Sequence, residues 1–192
     1  MYSQWEVIYD VIFAPRAGML KAASCVSPLR ATLFVVGGYL TGSVLFSLPW
    51  QQTQENMNGE RGLVIAAVLL SVSCWLVSVA LWHLAAELVG GKGRAKALLA
   101  ASGCAHLPLF FQLLPAAALL LFPSNGVAAV LAFLAIVAWK IWLDVEAIAA
   151  VYGFARSKAV LVLLMPWLML GVALLLVLIA VSIEMIWEGG MI

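Results

Sequence analysis

The sequence predicts an all-α, polytopic membrane protein. Five transmembrane helices are expected, with a short amphipathic helix lying in the interface ahead of them. Three observations predict this. Hydrophobic residues make up 66% of the 192 and charged residues only 10%, which leaves a soluble fold of this size too much apolar surface to hide. Charged residues are absent from residues 31–50, 62–81, 98–137 and 159–183, and a spanning helix needs about 20 apolar residues. Loop residues punctuate those runs at intervals that suit helical hairpins.

Each expected element follows from its flanks. The N-terminal segment, residues 1–28, places Val7, Ile8, Val11 and Ile12 at helical spacing among Glu6, Asp10, Arg16 and Lys21. That pattern suits a helix with its apolar side, including Val7, Val11 and Ile12, against lipid headgroups. Pro15 breaks it or starts it anew. Residues 29–192 form the membrane domain. The first span is expected at 29–48, closed by Pro49, with the polar residues 50–62 as a loop. The second is expected at 63–88, followed by the turn GGKGRAK. The third, 97–122, carries Pro108 and Pro115, which are tolerated in membranes but predict kinks. The tight turn PSNG leads to the fourth span, 127–150. The segment YGFARSK leads to the fifth, 159–187, with Pro166 near its start. The first apolar run has no small-residue cleavage site after it and reads as an uncleaved span.

Lys and Arg set the expected orientation. Arg16, Lys21 and Arg30 precede the first span; Lys92, Arg94 and Lys96 follow the second; Arg156 and Lys158 follow the fourth. Arg61 stands alone on the other side, and Lys140 lies within a helix. The N-terminus is therefore expected in the cytoplasm and the C-terminus outside. The location is a cell membrane, the inner membrane in a Gram-negative source.

A gapless match aligns Gly91-x-x-Arg94-x-Lys96-Ala97 with Gly153-x-x-Arg156-x-Lys158-Ala159. Duplicated hairpins would explain it, as in transporter folds. So would convergence, because both turns need Gly to stop a helix and cations on one side.

The segments HLAAELVGGKGRAKALLAASGCAHLPLF and WKIWLDVEAIAAVYGFARSKAVLVLLMPWL, with VIFAPRAGMLKAA before them, resemble the YIP domain family of Ypt/Rab-interacting proteins. The resemblance covers most of the chain and implies five spans with a cytoplasmic N-terminus. Eukaryotic members carry a long cytosolic N-terminal region and are linked to Rab GTPases and vesicle traffic. Here only about 28 residues precede the first span, so the chain is similar to the short bacterial members and the traffic role is not carried over.

Charge within a span costs roughly 2.5–3.5 kcal/mol per residue on insertion scales, so six residues stand out as a candidate polar cluster. His83 and Glu87 are i,i+4 near the end of the second span, and Lys140 and Asp144 are i,i+4 in the fourth. His106 lies about 13 Å into the third, at about 1.5 Å per residue. Glu146 is about 200° around the helix from Asp144, so those two carboxylates cannot share a partner. One reading is a ligand-binding pocket open to the cytoplasm for an ion, a proton or a lipid headgroup. The preferred reading is structural, with Lys140 paired to Asp144 and His83 to Glu87.

No catalytic constellation, metal site or cofactor is expected. The lone cysteines Cys25, Cys74 and Cys104 read as small apolar filler, and a net charge of +1 without a basic stripe excludes nucleic acid as a partner. Trp50, Trp82, Trp142 and Trp187 read as interface or packing anchors. The expected function is that of a non-enzymatic membrane protein acting through assembly with membrane proteins, with lipids of the bilayer or with itself as a homo-oligomer. The alternative is a small transporter or channel subunit built on the polar cluster.

Overall fold

The structure is a computed structural model that describes residues 3–47, 57–122 and 126–189. Its regular elements are all helical. They run α1 (Gln4–Phe13), α2 (Pro15–Cys25), α3 (Pro28–Ser47), α4 (Met57–Leu88), α5 (Ala95–Cys104), a 3₁₀ segment (Leu107–Gln112), α6 (Leu113–Leu121), α7 (Gly126–Tyr152) and α8 (Arg156–Gly189). Four stretches among the described residues are long and apolar enough to cross a membrane: Gly62–Leu88, Ala95–Leu119, Gly126–Tyr152 and Arg156–Ile179. The helix α3 occupies the position expected for the first span. Most of the expected first loop, the PSNG turn before Gly126 and Trp50 lie outside the described residues. So do the side chain of Trp187 and the end of the tail. The last residues of that expected loop are helical, because α4 begins at Met57.

The N-terminal segment forms two helices. The side chains of Ser3 and Glu6 cap the start of α1 reciprocally, each accepting from the other's backbone N–H. Pro15 opens α2 at its first turn, where a missing N–H costs nothing. An ion pair between Lys21 and Asp10 ties the two helices together. Gly18 permits their close approach, since a Cβ there would collide with the backbone of Val11. The expectation that Val7 and Val11 face lipid headgroups is corrected. Both are buried, in a core with Met19, Ala22, Ala101, Cys104, Leu143 and Ala147. Their periodicity marked an apolar face; that face found protein rather than lipid. The opposite face exposes Trp5, Tyr9 and Phe13, one helical turn apart.

The span expected to be one kinked helix is three pieces. The helix α5 stops at Cys104, Pro108 sits in the first turn of the 3₁₀ segment, and α6 resumes at Leu113. A proline lacks the N–H that would continue the α-helical ladder. This broken span is the hub of the bundle. It packs against α2, α3, α4 and α7. The approach of α3 is close enough that a Cβ on Gly103 would sit 2.5 Å from the Cβ of Ala31 and 2.8 Å from its carbonyl oxygen.

Both expected turns after spans two and four close the same way. The Gly91 N–H donates to Ala86 O at 2.8 Å and the Phe154 N–H to Ala149 O at 3.0 Å, the long back-bond of a Schellman turn. The residues with left-handed backbone are Gly90 (φ 85°) and Gly153 (φ 67°). The equivalent of Gly153 is therefore Gly90, not Gly91 as the gapless match would have it. The segment after Gly90 is longer before its helix begins, at Ala95 rather than after two residues as at Arg156. Most of the packed core lies at this end. Trp75, Val79, Trp82 and Ala86 of α4 meet Leu98, Val145, Ile148, Ala149, Tyr152, Ala159 and Val162 there.

Candidate functional site

Among the described residues, the buried polar side chains lie toward this turn end and around the break in the central span. The six residues named from sequence fall into three separate groups rather than one pocket.

The first group is on α4 and the end of α7. His83 Nδ1 and the Tyr152 hydroxyl share a hydrogen bond of 2.5 Å, and His83 Nε2 lies 3.5 Å from Glu87 Oε1. Glu87 is half-exposed and Tyr152 stacks on Phe154 at the turn. Each ring nitrogen of His83 thus has a partner, which fixes the ring.

The second group surrounds the break after α5. His106 Nδ1 is 2.9 Å from Ser102 O. A carbonyl only accepts, so Nδ1 carries the hydrogen, and in the neutral ring Nε2 is a free acceptor. The ring packs against Tyr39 of α3 and, edge-on, Trp75 of α4. Trp75 Nε1 donates to Ser102 Oγ at 3.1 Å, so the same serine serves both aromatic neighbours. Lys140 lies within electrostatic reach of His106 and Tyr39 and donates to Asp144 Oδ2 at 2.6 Å. Asp144 is 2% exposed. His106 Nε2 and Asp144 Oδ1 are both buried without a hydrogen-bond partner among the described residues. Such atoms are uncommon in native proteins and mark places where a proton, water or ion is accommodated.

The third group joins α7 to α8. Glu146, fully buried, accepts from Arg156 Nε at 2.6 Å through Oε1, while Oε2 is buried and unpartnered. The Arg156 guanidinium lies over the Trp142 ring at 5.2 Å.

The expected local pairs Lys140–Asp144 and His83–Glu87 are both present. Glu146 points away from Asp144, as its position on the helix requires. Sequence reasoning missed Tyr39, Trp75, Ser102, Tyr152 and Arg156 as partners. The one usable signal was for Arg156: a chain that reverses at Gly153 brings the start of the next helix back over the end of the last. Cys25 and Cys74 are exposed and Cys104 is buried; all three are free thiols. Among the described residues, no three His, Cys, Asp or Glu side chains gather as a metal-binding group.

A family model described as the Yip1 domain matches residues 9–179. The match takes in α2 to α7 whole, the second half of α1 and most of α8, and the chain belongs to that family. Comparisons with curated proteins and with solved structures found no match.

Proposed function

We propose that this Yip1-domain chain is a non-enzymatic integral membrane protein that acts by assembling, within the bilayer, with other membrane proteins, with lipids or with further copies of itself. Residues 1–28 are an interfacial segment docked on a five-span domain, with α3 as the first span. The N-terminus and the two basic turns face the cytoplasm and the C-terminus faces outside, in the inner membrane if the source is Gram-negative.

The observation that carries this reading is the unburied far half of the bundle. Every residue at 167–179 of α8 is exposed, and no residue at 62–74 of α4 is buried. Apolar surface of that extent is covered in a membrane by lipid or by partner helices, and Gly171 on α8 offers a partner backbone close approach, since a Cβ there would meet nothing within 4 Å. The non-enzymatic reading is supported by how the buried polar groups are used. They pair with one another, within α7 as Lys140–Asp144 and between elements as Glu146–Arg156, His83–Tyr152 and Trp75–Ser102, and no serine or cysteine side chain among the described residues is hydrogen-bonded to a histidine or a carboxylate.

The unpartnered atoms of His106 and Asp144 favour the second reading, a small transporter or channel subunit. A transport path also needs polar groups in the far half, and α7 carries none from Val127 to Trp139.

Photo-crosslinking amino acids at Leu168, Gly171 and Leu175 in native membranes test assembly. Protein adducts are the expected result; lipid adducts alone at every position would remove the protein-partner and self-assembly arms of the proposal, and no recurrent adduct of either kind would overturn it. Reporter fusions after Lys96 and Ser157 should report the cytoplasm, and fusions after Ser124 and Ile192 the outside. A cytoplasmic C-terminus would remove the five-span reading.

A further inference from the structure

We propose that the cleft between α1, α3 and the break after α5 binds the acyl part of one anionic glycerophospholipid, whose phosphate is held by Arg30, Arg94 and Lys96 around the α2–α3 turn. The proposal rests on the membrane reading above and names the lipid that this end of the bundle selects.

The cleft has a volume of 1030 Å³, at the upper end of the range of about 300–1,000 Å³ usual for small-ligand sites. Its walls are apolar: Val7 and Ile8 of α1, Leu33 and Phe34 of α3, and Leu107 of the 3₁₀ segment. Arg30 is its one cation. A second, smaller and more polar pocket of 340 Å³ opens on the other side of the same turn, lined by Ser24 and Ser27 with Arg94 and Lys96. Cys25 and Val26 line both. An apolar slot and a basic, hydroxyl-bearing pocket therefore share one rim, the layout that an acyl chain and a phosphate require together.

The charge count around the bundle points to the same place. Lys21 is paired with Asp10, Lys140 with Asp144 and Arg156 with Glu146. Arg16 donates to Phe154 O, and Lys158 lies over the Phe154 ring. Arg30, Lys92, Arg94 and Lys96 have no such engagement: their side chains make no ion pair, hydrogen bond or ring contact among the described residues, and of the four Arg30, Arg94 and Lys96 line the two pockets. Three uncommitted cations beside one apolar cleft are complementary to a lipid that is anionic at one end and apolar at the other. The exposed row Trp5, Tyr9 and Phe13 on α1 sets the depth. Aromatic rings of this kind sit at the headgroup level, and they project from α1, the helix that forms one wall of the cleft.

The test uses the full chain in nanodiscs of phosphatidylcholine doped with phosphatidylglycerol, with native mass spectrometry counting the lipid retained. One phosphatidylglycerol should be retained in preference to phosphatidylcholine. The combined change Arg30→Gln, Arg94→Gln and Lys96→Gln should lower that preference by about tenfold or more while leaving thermal stability unchanged. Leu33→Trp, at an exposed position of the cleft wall, should reduce retention of both lipids. Inorganic phosphate should not displace the bound lipid. A folded triple variant with the original preference would overturn the proposal, and so would displacement by phosphate alone, which would make the rim an anion site without an acyl slot. Orientation is read separately, by a membrane-impermeant maleimide on Cys25 in a Cys74→Ser background in intact cells. Labelling from outside would sink the cytoplasmic placement of the turn and leave the lipid result standing.

Discussion

The two halves of α7 are the same helix with different surroundings. From Leu143 to Ala150 every residue is buried, Asp144 and Glu146 included. From Gly126 to Trp142 only Ala129 is. The buried half is the less hydrophobic of the two, since it carries both carboxylates. What differs is the neighbourhood. Around α7 pack α2, α5, α8, the 3₁₀ segment and α6, but its side chains are covered all round only toward the turn end. The same division runs along α8, where Ala159 and Val162 are buried and residues 167–179 are exposed. In a membrane the apolar effect does not drive helices together, since lipid tails are as apolar as leucine. Close packing, ion pairs and hydrogen bonds decide where the bundle is tight, and among the described residues the ion pairs concentrate at the turn end, while close packing continues along α3 to the 3₁₀ segment.

The largest expected effect breaks that end open. Asp144→Leu leaves Lys140 in a mostly buried position without its carboxylate, at a cost of about 3–5 kcal/mol, seen as a lower unfolding temperature in detergent. Adding Lys140→Met should recover most of the loss. A double variant no more stable than the single one would mean that the pair is not what stabilises this region. A double variant that is stable yet inactive in cells would give Asp144 a functional role and promote the transporter reading.

Next in size is Gly103→Val. The new side chain runs into the Cα and carbonyl of Ala31, so α3 must shift, at a cost of about 1–3 kcal/mol by the same melting measurement. If the variant melts like the parent, α3 and α5 do not pack as closely as described.

Tyr152→Phe should cost about 1 kcal/mol, because the hydroxyl that bonds His83 is lost while the ring still stacks on Phe154. Combining it with His83→Ala, in a double-mutant cycle, should show coupling of that order; strict additivity would remove the contact.

The smallest effect on stability is expected in the far half. Gly171→Ala meets open space within its own chain, so in detergent it should raise the unfolding temperature slightly, by up to about 1 kcal/mol in stability, through helix propensity alone. In native membranes the same change should weaken crosslinking at Leu168 and Leu175, since the added Cβ would hold a partner helix off; unchanged crosslinking would mean that no partner packs against Gly171.

The helical class, the long apolar stretches, a distortion of the third span near Pro108 and the two glycine turns were all readable in the chain; that the distortion is a full break into three pieces was not. So were the pairs Lys140–Asp144 and His83–Glu87. Each of these is local: run length, a missing N–H, a left-handed backbone, or two residues one helical turn apart. Glu146–Arg156 spans a turn, and His83–Tyr152 and Trp75–Ser102 join different helices; no periodicity points to such partners. Val7 and Val11 were recognised as one apolar face, but whether that face met lipid or protein was decided by the fold of α2 back onto α5 and α7. The reason is physical. In water an apolar face has one place to go, so a helical stripe reveals the core. In a bilayer both lipid and protein accept it, and only the three-dimensional packing of close-fitting glycines and buried charge pairs chooses between them.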